Sequence, residues 1–198
     1  MLYKDLAGVR PEILQAVERM GFTEMTEVQE KTIPVMMAGH DVIAKAPTGT
    51  GKTCAFGIPI IERIDPARLL PQAVILAPTR ELAQQIAGDL EDLTHFLPDI
   101  RTVCVYGGAD MQKQANRLKK GCQIVVATPG RLMDHMRHKS INVSEVTSIV
   151  LDEADEMLNM GFYKDVRKII DAMKARKSLC MFSATISREV MDIGWLYQ

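Results

Sequence analysis

Residues 46–53 read APTGTGKT and have the residue types of a phosphate-binding loop. The string follows an apolar stretch that predicts a strand and precedes a stretch that predicts a helix, which is the context such a loop requires. Glycines let backbone N–H groups turn toward an anion, and a helix N-terminus adds partial positive charge. Lys52 would reach the β and γ phosphates of a nucleotide, and the Thr53 hydroxyl would join a Mg²⁺ shell. Because Ala46 replaces the first glycine of the general pattern, the string alone also fits an ordinary glycine-rich turn.

A second candidate site is an apolar strand, residues 149–151, that ends in Asp152, Glu153 and Asp155. Parallel strands point their carboxyl ends at a common crevice, so we expect Asp152 to lie beside the phosphate loop. Asp152 would bind Mg²⁺, and Glu153 would polarise the water that attacks the γ phosphate. Taken alone, acidic residues after a strand are also typical of a solvated helix start.

The elements that position these residues alternate along the chain as short apolar runs and amphipathic helix-length stretches. This pattern is typical of an α/β fold with a parallel sheet between helices, because strands buried on both faces lack polar alternation. The predicted strands are Asp41 to Ala46, Ala73 to Ala77, Thr102 to Tyr106, Gln123 to Ala127, Ser148 to Leu151 and Ser178 to Phe182. Ahead of them, helices are expected over Pro11 to Met20 and from Thr26 toward Gly39.

Composition limits the function classes. The chain has 198 residues, and its 24 basic and 25 acidic side chains give a formal charge of -1, so no global positive field attracts nucleic acid. Four separated cysteines without a Cys-x-x-Cys pair indicate reduced thiols and no zinc site. No apolar run approaches the roughly 20 residues that span a bilayer. We expect one domain in a cytoplasmic protein that does not contact a membrane.

Asp152 to Asp155 spell DEAD, and with this string the sequence resembles a DEAD-box RNA helicase over its whole length. Five other segments match the motifs of that family in order and spacing. They are residues 21–29 (the Q motif), 78–83 (motif Ia), 107–108 (the GG element), 128–131 (motif Ib) and 183–185 (motif III). The resemblance implies the first of two RecA-like domains, with ATP and Mg²⁺ as cofactors.

The resemblance assigns adenine recognition to Gln29, whose amide would read the base edge, and to Tyr3, whose ring would stack on the base. It also implies nucleotide contacts for Thr48, Gly49, Thr50, Gly51, Lys52 and Thr53. Residues 26–29 equally fit a helix capping box, in which the Gln29 side chain serves its own backbone. Both roles stay open at this point.

The resemblance further implies an RNA-binding surface that contacts the sugar–phosphate backbone without reading base sequence. The residues assigned to it are Pro78, Thr79, Arg80, Gly107, Gly108, Thr128, Pro129, Gly130 and Arg131. Two of these segments, 78–81 and 128–131, also make ordinary helix N-termini. Ser183 and Thr185 would couple nucleotide state to RNA binding through Asp155, although Ser183 also fits a cap of the last helix.

The function expected from the resemblance is ATP hydrolysis coupled to sequence-independent RNA binding and local duplex unwinding. We expect a single domain over residues 1–198, with a helical region at 1–39, a phosphate-loop core at 40–198 and no second RecA-like domain. Such a monomeric fragment would bind nucleotide and turn over very slowly. The alternatives are a DNA helicase or translocase with the same loop and acidic strand, and a nucleotide-dependent RNA clamp that does not unwind.

Overall fold

The computed structural model describes residues 1–47 and 51–198, and a six-stranded parallel sheet lies at its centre. The strands are β1 (Val42–Lys45), β2 (Ala73–Leu76), β3 (Thr102–Val105), β4 (Ile124–Ala127), β5 (Ser148–Asp152) and β6 (Ser178–Ser183). Each predicted strand is confirmed to within one residue at either end. Helices cover both faces of the sheet, and strands buried in this way are short continuous runs rich in Val, Ile and Ala, which is why the sequence predicted them.

The helices that cover the sheet lie between the strands and at both ends of the described chain. They are α1 (Pro11–Arg19), α2 (Glu27–Met37), α3 (Lys52–Arg63), α4 (Arg80–Leu93), α5 (Met111–Lys120), α6 (Pro129–Arg137), α7 (Ala154–Met157), α8 (Tyr163–Ala172) and α9 (Arg188–Tyr197). The first two begin close to the predicted positions. Pro11 occupies the first turn of α1, where its missing N–H costs no hydrogen bond.

Two apolar cores form because successive strand residues point to opposite faces of the sheet. On one face Ile75 and its equivalents pack under α1 to α4. On the other face Val74 and Leu76 pack under α5 to α9. The four cysteines are free and buried, as the sequence indicated.

The strand order divides the carboxyl edge of the sheet into two halves. The order is β1-β6-β5-β2-β4-β3. The first three strands lead into the phosphate loop, residues 183–185 and residues 152–155. The other three lead into residues 78–83, 128–131 and 107–108. Segments far apart in sequence are therefore grouped at two neighbouring positions on one edge.

The N-terminal region packs on the same core as the sheet. Ile13 and Val17 of α1 are fully buried in the core that contains Ile75. Arg10 also donates from its backbone N–H to the Glu62 carboxylate at 3.0 Å. Within the described part of the chain, no helix combines the length and the apolar character needed to cross a bilayer.

Candidate functional site

Lys52 and Asp152 come from two different elements and meet at the centre of the site. Lys52 is the first residue of α3, and Asp152 is the last residue of β5. The Lys52 Nζ and Asp152 Oδ1 atoms lie 3.0 Å apart, and the two side chains are only 8% and 2% exposed. Burial raises the pKa of Asp152, while the charge and hydrogen bond of Lys52 act against that rise. The lysine is thus the partner that compensates a carboxylate at a buried position.

A cavity of about 290 Å³ joins the phosphate loop, the acidic strand end and α4. Lys52, Thr53, Asp152 and Glu153 all line it. Hydroxyl and carboxylate oxygens are the ligands that Mg²⁺ prefers, so Thr53 and Asp152 fit the metal expected from the sequence.

Three predicted loop residues, Thr48, Gly49 and Thr50, lie outside the described residues. Gly51 closes the loop at φ +90°, a backbone conformation that side chains with a Cβ rarely adopt.

Gln29 forms the capping box that the sequence left open as an alternative. Its Oε1 atom accepts from the Thr26 backbone N–H at 2.8 Å, and its own N–H donates to the Thr26 hydroxyl at 3.4 Å. Its Nε2 atom also donates to the carbonyl oxygen of Gly51, which ties α2 to the phosphate loop. The residue is 1% exposed. The amide is therefore engaged by protein groups, and its predicted contact with adenine stays a prediction.

Tyr3 lies in the apolar core and not at the 290 Å³ cavity. It is 3% exposed and packs in the same cluster as Cys54, and burial raises the pKa of its phenol. It does line a separate cavity of about 470 Å³ that Phe22 also lines, and its predicted stacking on a base stays a prediction. Phe22, which the sequence reading passed over, does line the 290 Å³ cavity, together with Gly51 and Lys52. Phe22 lies inside segment 21–29, one of the segments that carry the resemblance, and this place in the sequence could have pointed to it.

Glu153 follows the buried strand in a left-handed backbone conformation. Its φ and ψ are +49° and +50°, which a residue with a Cβ adopts at some cost in energy. Its backbone N–H donates to Asp152 Oδ1 at 2.9 Å, so the main chain at Glu153 helps to hold the Asp152 carboxylate in place. Burial raises the pKa of Glu153, and Lys52 acts to lower it. A carboxylate with a raised pKa is better suited to accept a proton.

Asp155, Ser183 and Thr185 form one hydrogen-bonded group across the ends of β5 and β6. The Thr185 hydroxyl and backbone N–H donate to Asp155 Oδ2 at 2.8 Å and 3.0 Å. The Asp155 backbone N–H donates to the Ser183 hydroxyl at 3.1 Å. Burial acts to raise the pKa of Asp155, but the hydrogen bonds from Thr185 and Ser183 outweigh it and leave the pKa below its usual range. The alternative that Ser183 caps the last helix is wrong, because Ser187 is the residue that caps α9.

The other half of the sheet edge is a surface formed by three short segments. Thr79 caps α4 through a bond from the Leu82 N–H at 3.2 Å, and Pro129 occupies the first turn of α6. Both segments are thus helix N-termini, as the alternative reading expected. Gly107 and Gly108 are exposed after β3. The Arg80 guanidinium, also exposed, lies 4.7 Å from the ring centre of Tyr106.

Gln114 is a buried residue that connects segments of this surface through hydrogen bonds. It is 5% exposed, and its Nε2 atom donates to the Tyr106 carbonyl at 2.9 Å. Its Oε1 atom lies 3.1 Å from both Arg131 Nη1 and His135 Nε2. Arg131 Nη1 also donates to the Ala109 carbonyl at 3.0 Å.

Part of the Arg131 guanidinium is therefore hydrogen-bonded inside the protein, and the side chain is only 13% exposed. The sequence reading missed Gln114, because it stands mid-helix with no motif around it.

The remaining residues assigned to the RNA surface differ in accessibility. Pro78 and Pro129 are buried, while Thr128 and Gly130 are half-buried. A backbone or hydroxyl contact is open to the last two, and Arg80 and the glycines offer the most exposed positions.

A phosphate loop after β1, paired carboxylates after β5 and a parallel sheet between helices define a nucleotide-binding domain of the RecA-like type. The chain belongs to the DEAD/DEAH box helicase family, whose sequence model matches residues 26–193.

Relatives with curated names support the same family. The chain is 47% identical over 187 residues to the ATP-dependent RNA helicase CshA of Listeria monocytogenes, covering 94% of this chain and 36% of that protein. It is 44% identical over 185 residues to the DEAD-box ATP-dependent RNA helicase CshA of Bacillus subtilis, covering 92% and 37%. The chain therefore spans little more than a third of the length of these two relatives.

Solved structures agree with the fold. A DEAD box protein from the hyperthermophile Methanococcus jannaschii superposes with a TM-score of 0.92 at 39% identity, over 100% of this chain and 54% of that one. A hypothetical ATP-dependent RNA helicase from Sulfolobus tokodaii superposes with a TM-score of 0.86 at 40% identity, over 94% and 54%.

Proposed function

We propose that the chain is the ATP-binding domain of an RNA helicase and that residues 51–53, with Asp152 and Glu153, form its nucleotide site. The observation that carries the proposal is the 3.0 Å contact between Lys52 and Asp152, beside a cavity that Thr53 and Glu153 also line. When nucleotide and metal enter such a cavity, Lys52 can exchange the Asp152 carboxylate for the γ phosphate. Asp152 can in turn exchange Lys52 for the metal ion. Mg²⁺, when bound, would neutralise charge on the β and γ phosphates.

The chain's own residues have separate roles in the proposed hydrolysis. Lys52 contacts the phosphates, while Thr53 and Asp152 offer oxygen ligands to the metal. Glu153 orients a water molecule and accepts its proton as the water oxygen attacks the γ phosphorus and the bond to the β-phosphate oxygen breaks. The raised pKa of Glu153 suits that proton transfer.

Two substitutions separate binding from hydrolysis in the longer protein. Glu153→Gln keeps the side-chain shape and cannot accept the proton, so turnover should fall by about a hundredfold or more while ATP binding is kept. Lys52→Ala should instead weaken binding itself. ATPase rates and equilibrium titration with a labelled nucleotide measure the two effects. Normal turnover by Glu153→Gln would remove the role assigned to Glu153.

Adenine recognition is proposed for the region of Phe22 and Gln29. Phe22 lines the cavity and offers a ring for stacking, whereas Gln29 has one amide N–H and one oxygen lone pair left beyond its capping bonds. Titrating ATP, ADP, GTP and GDP against the chain should show a preference for the adenine nucleotides. Equal affinities would leave Gln29 with its structural contacts alone.

RNA binding is proposed for the surface around Arg80, Gly107, Gly108 and the segment 128–131. Its groups are exposed glycine N–H groups, helix N-termini and cations, which suit phosphate and ribose contacts and carry little base information. A formal charge of -1 leaves the contacts local, so affinity should be weak and strongly salt-dependent. Competition between RNA and DNA of the same sequence tests the DNA translocase alternative, because 2′-OH contacts distinguish the two.

Unwinding is proposed for the longer protein, with a second RecA-like domain of the same polypeptide closing over both sites. Asp155, Ser183 and Thr185 join the two strand ends of the nucleotide half and are proposed to report its state to the RNA surface. The chain alone, a proposed cytoplasmic monomer, should bind nucleotide with very slow turnover. Robust RNA-stimulated ATPase by residues 1–198 would contradict the two-domain account, and nucleotide-dependent RNA binding without strand separation by the longer protein would favour the clamp.

A further inference from the structure

Helix α4 touches the proposed metal site through a residue that belongs to none of the motifs. Asp89, half-buried on α4, accepts a hydrogen bond from the Thr53 hydroxyl, with Thr53 Oγ1 and Asp89 Oδ2 2.9 Å apart. Both residues line the 290 Å³ cavity together with Asp152 and Glu153. The carboxylate therefore contacts a candidate Mg²⁺ ligand, and it comes from the helix that begins at Arg80.

The packing of α3 against α4 fixes the distance between these two side chains. One turn beyond Thr53, a Cβ added at Gly57 would lie 2.9 Å from Leu93 Cδ1 and 3.2 Å from Leu90 Cδ2. Leu93 is in turn one turn beyond Asp89, and both leucines are fully buried. The helices thus approach closely just where the hydrogen bond forms, so the bond is held by the core as well as by the two side chains.

The direction of this hydrogen bond matters for metal coordination. A hydroxyl oxygen binds a cation through a lone pair, so its hydrogen has to point away from the cation toward an acceptor. A carboxylate on the far side of the hydroxyl provides that acceptor and fixes the rotamer, as outer-shell partners of metal ligands do. We propose that Asp89 is a positioning residue that holds the Thr53 hydroxyl ready to bind Mg²⁺ in the nucleotide site; this rests on the proposed function.

The test measures the Mg²⁺ dependence of nucleotide binding by the chain itself. A non-hydrolysable ATP analogue is titrated calorimetrically at a series of Mg²⁺ concentrations and once in EDTA. Asp89→Ala should raise the Mg²⁺ concentration needed for half-maximal tightening by about tenfold, the lower end of the effect of outer-shell partners. Affinity in EDTA should not change, because Asp89 is not proposed to contact the nucleotide. An equal loss with and without Mg²⁺ would make Asp89 merely structural and overturn the proposal.

Three further variants make the comparison specific. Asp89→Asn keeps an acceptor oxygen and should restore most of the Mg²⁺ response, whereas Asp89→Ser is too short to reach and should lose it like Asp89→Ala. Asp92→Asn removes one charge from the same helix at an exposed position, 4.0 Å from Arg19, and should behave as the wild type. A shift with Asp92→Asn as large as that with Asp89→Ala would show a general charge effect and overturn the proposal.

The Thr53→Val variant links the effect to the hydroxyl. It should lose the Mg²⁺ response by itself, and adding Asp89→Ala should cause no further loss, since the carboxylate acts only through Thr53. Additive losses would overturn the proposal. If the wild-type chain bound no nucleotide with or without Mg²⁺, the proposed function would fail first. If it bound with a normal Mg²⁺ response that Asp89→Ala left unchanged, only the role of Asp89 would fail.

Discussion

At the residue scale, the contact between Lys52 and Asp152 is the point where folding and function meet. Both side chains are nearly inaccessible, so each charge depends on the other for compensation. The nucleotide site proposed here needs both residues to change partners when phosphate and metal enter. Both charges are already out of water before the ligand binds. The ligand therefore replaces an existing partner of each charge and does not bind to a free, hydrated charge.

Removing the lysine alone should destabilise the fold. Lys52→Met leaves Asp152 buried without its cation, and the free energy of unfolding should fall by about 3 kcal/mol or somewhat less if the carboxyl takes up a proton. Urea denaturation at neutral pH measures the loss. Adding Asp152→Asn should recover part of it, because the buried charge is then gone.

Lys31→Met provides the matched control for this prediction. Lys31 pairs with Glu27 on the surface, where the two side chains are 72% and 81% exposed. Its loss should change the free energy of unfolding by less than about 1 kcal/mol. Similar losses for Lys31→Met and Lys52→Met would show that burial does not strengthen the inner pair.

At the element scale, Gln114 connects a strand end and two helices that are separate in the sequence. Its amide contacts the Tyr106 carbonyl, the Arg131 guanidinium and the His135 ring, so α5, α6 and the end of β3 share one buried side chain. The geometry of the proposed RNA surface therefore depends on a residue that does not itself face solvent.

Replacing that amide should cost stability well beyond the loss of one side chain. Gln114→Leu leaves a carbonyl and two N–H groups without their Gln114 partner, at about 1–3 kcal/mol for each group that stays dry, so a loss of about 3 kcal/mol or more is expected if all three do. Gln112→Leu is the control, because Gln112 is exposed on the same helix and should change stability by about 0.5 kcal/mol or less. Thermal and urea unfolding of both variants give the comparison. Equal effects would mean that the Gln114 contacts add nothing.

The sequence predicted the strands closely because each is a short apolar run bounded by turn residues. It also predicted that Asp152 lies beside the phosphate loop, since parallel strand ends converge. It assigned Tyr3 to base stacking only through the family resemblance, because an aromatic residue looks the same in sequence whether it lies in a core or at a ligand. Asp89 and Gln114 were not predicted for another reason. Asp89 bonds to Thr53, 36 residues away in sequence, and Gln114 bonds to Arg131, 17 residues away, and only packing brings these elements together.

At the scale of the whole molecule, the N-terminal helices and the sheet share one core. Ile13, Val17 and Ile33 are fully buried in the cluster that contains the sheet residues Ile75 and Ile124. Gln29 adds a polar link from α2 to the phosphate loop. A ligand that stabilises the phosphate loop should therefore stabilise the N-terminal region as well.

Native-state hydrogen exchange can test whether the chain unfolds as one unit. Protected amides of α1 and of β5 should exchange through the same global opening, with free energies that agree within about 1 kcal/mol, because separating α1 would expose the apolar face of α4 on which it packs. A Mg²⁺-bound ATP analogue at a hundred times its dissociation constant should then raise both values by about 2.7 kcal/mol, since it binds only the folded chain. Amides of α1 that exchanged at a much lower free energy, and did not respond to nucleotide, would instead show that residues 1–39 open separately from the core at 40–198.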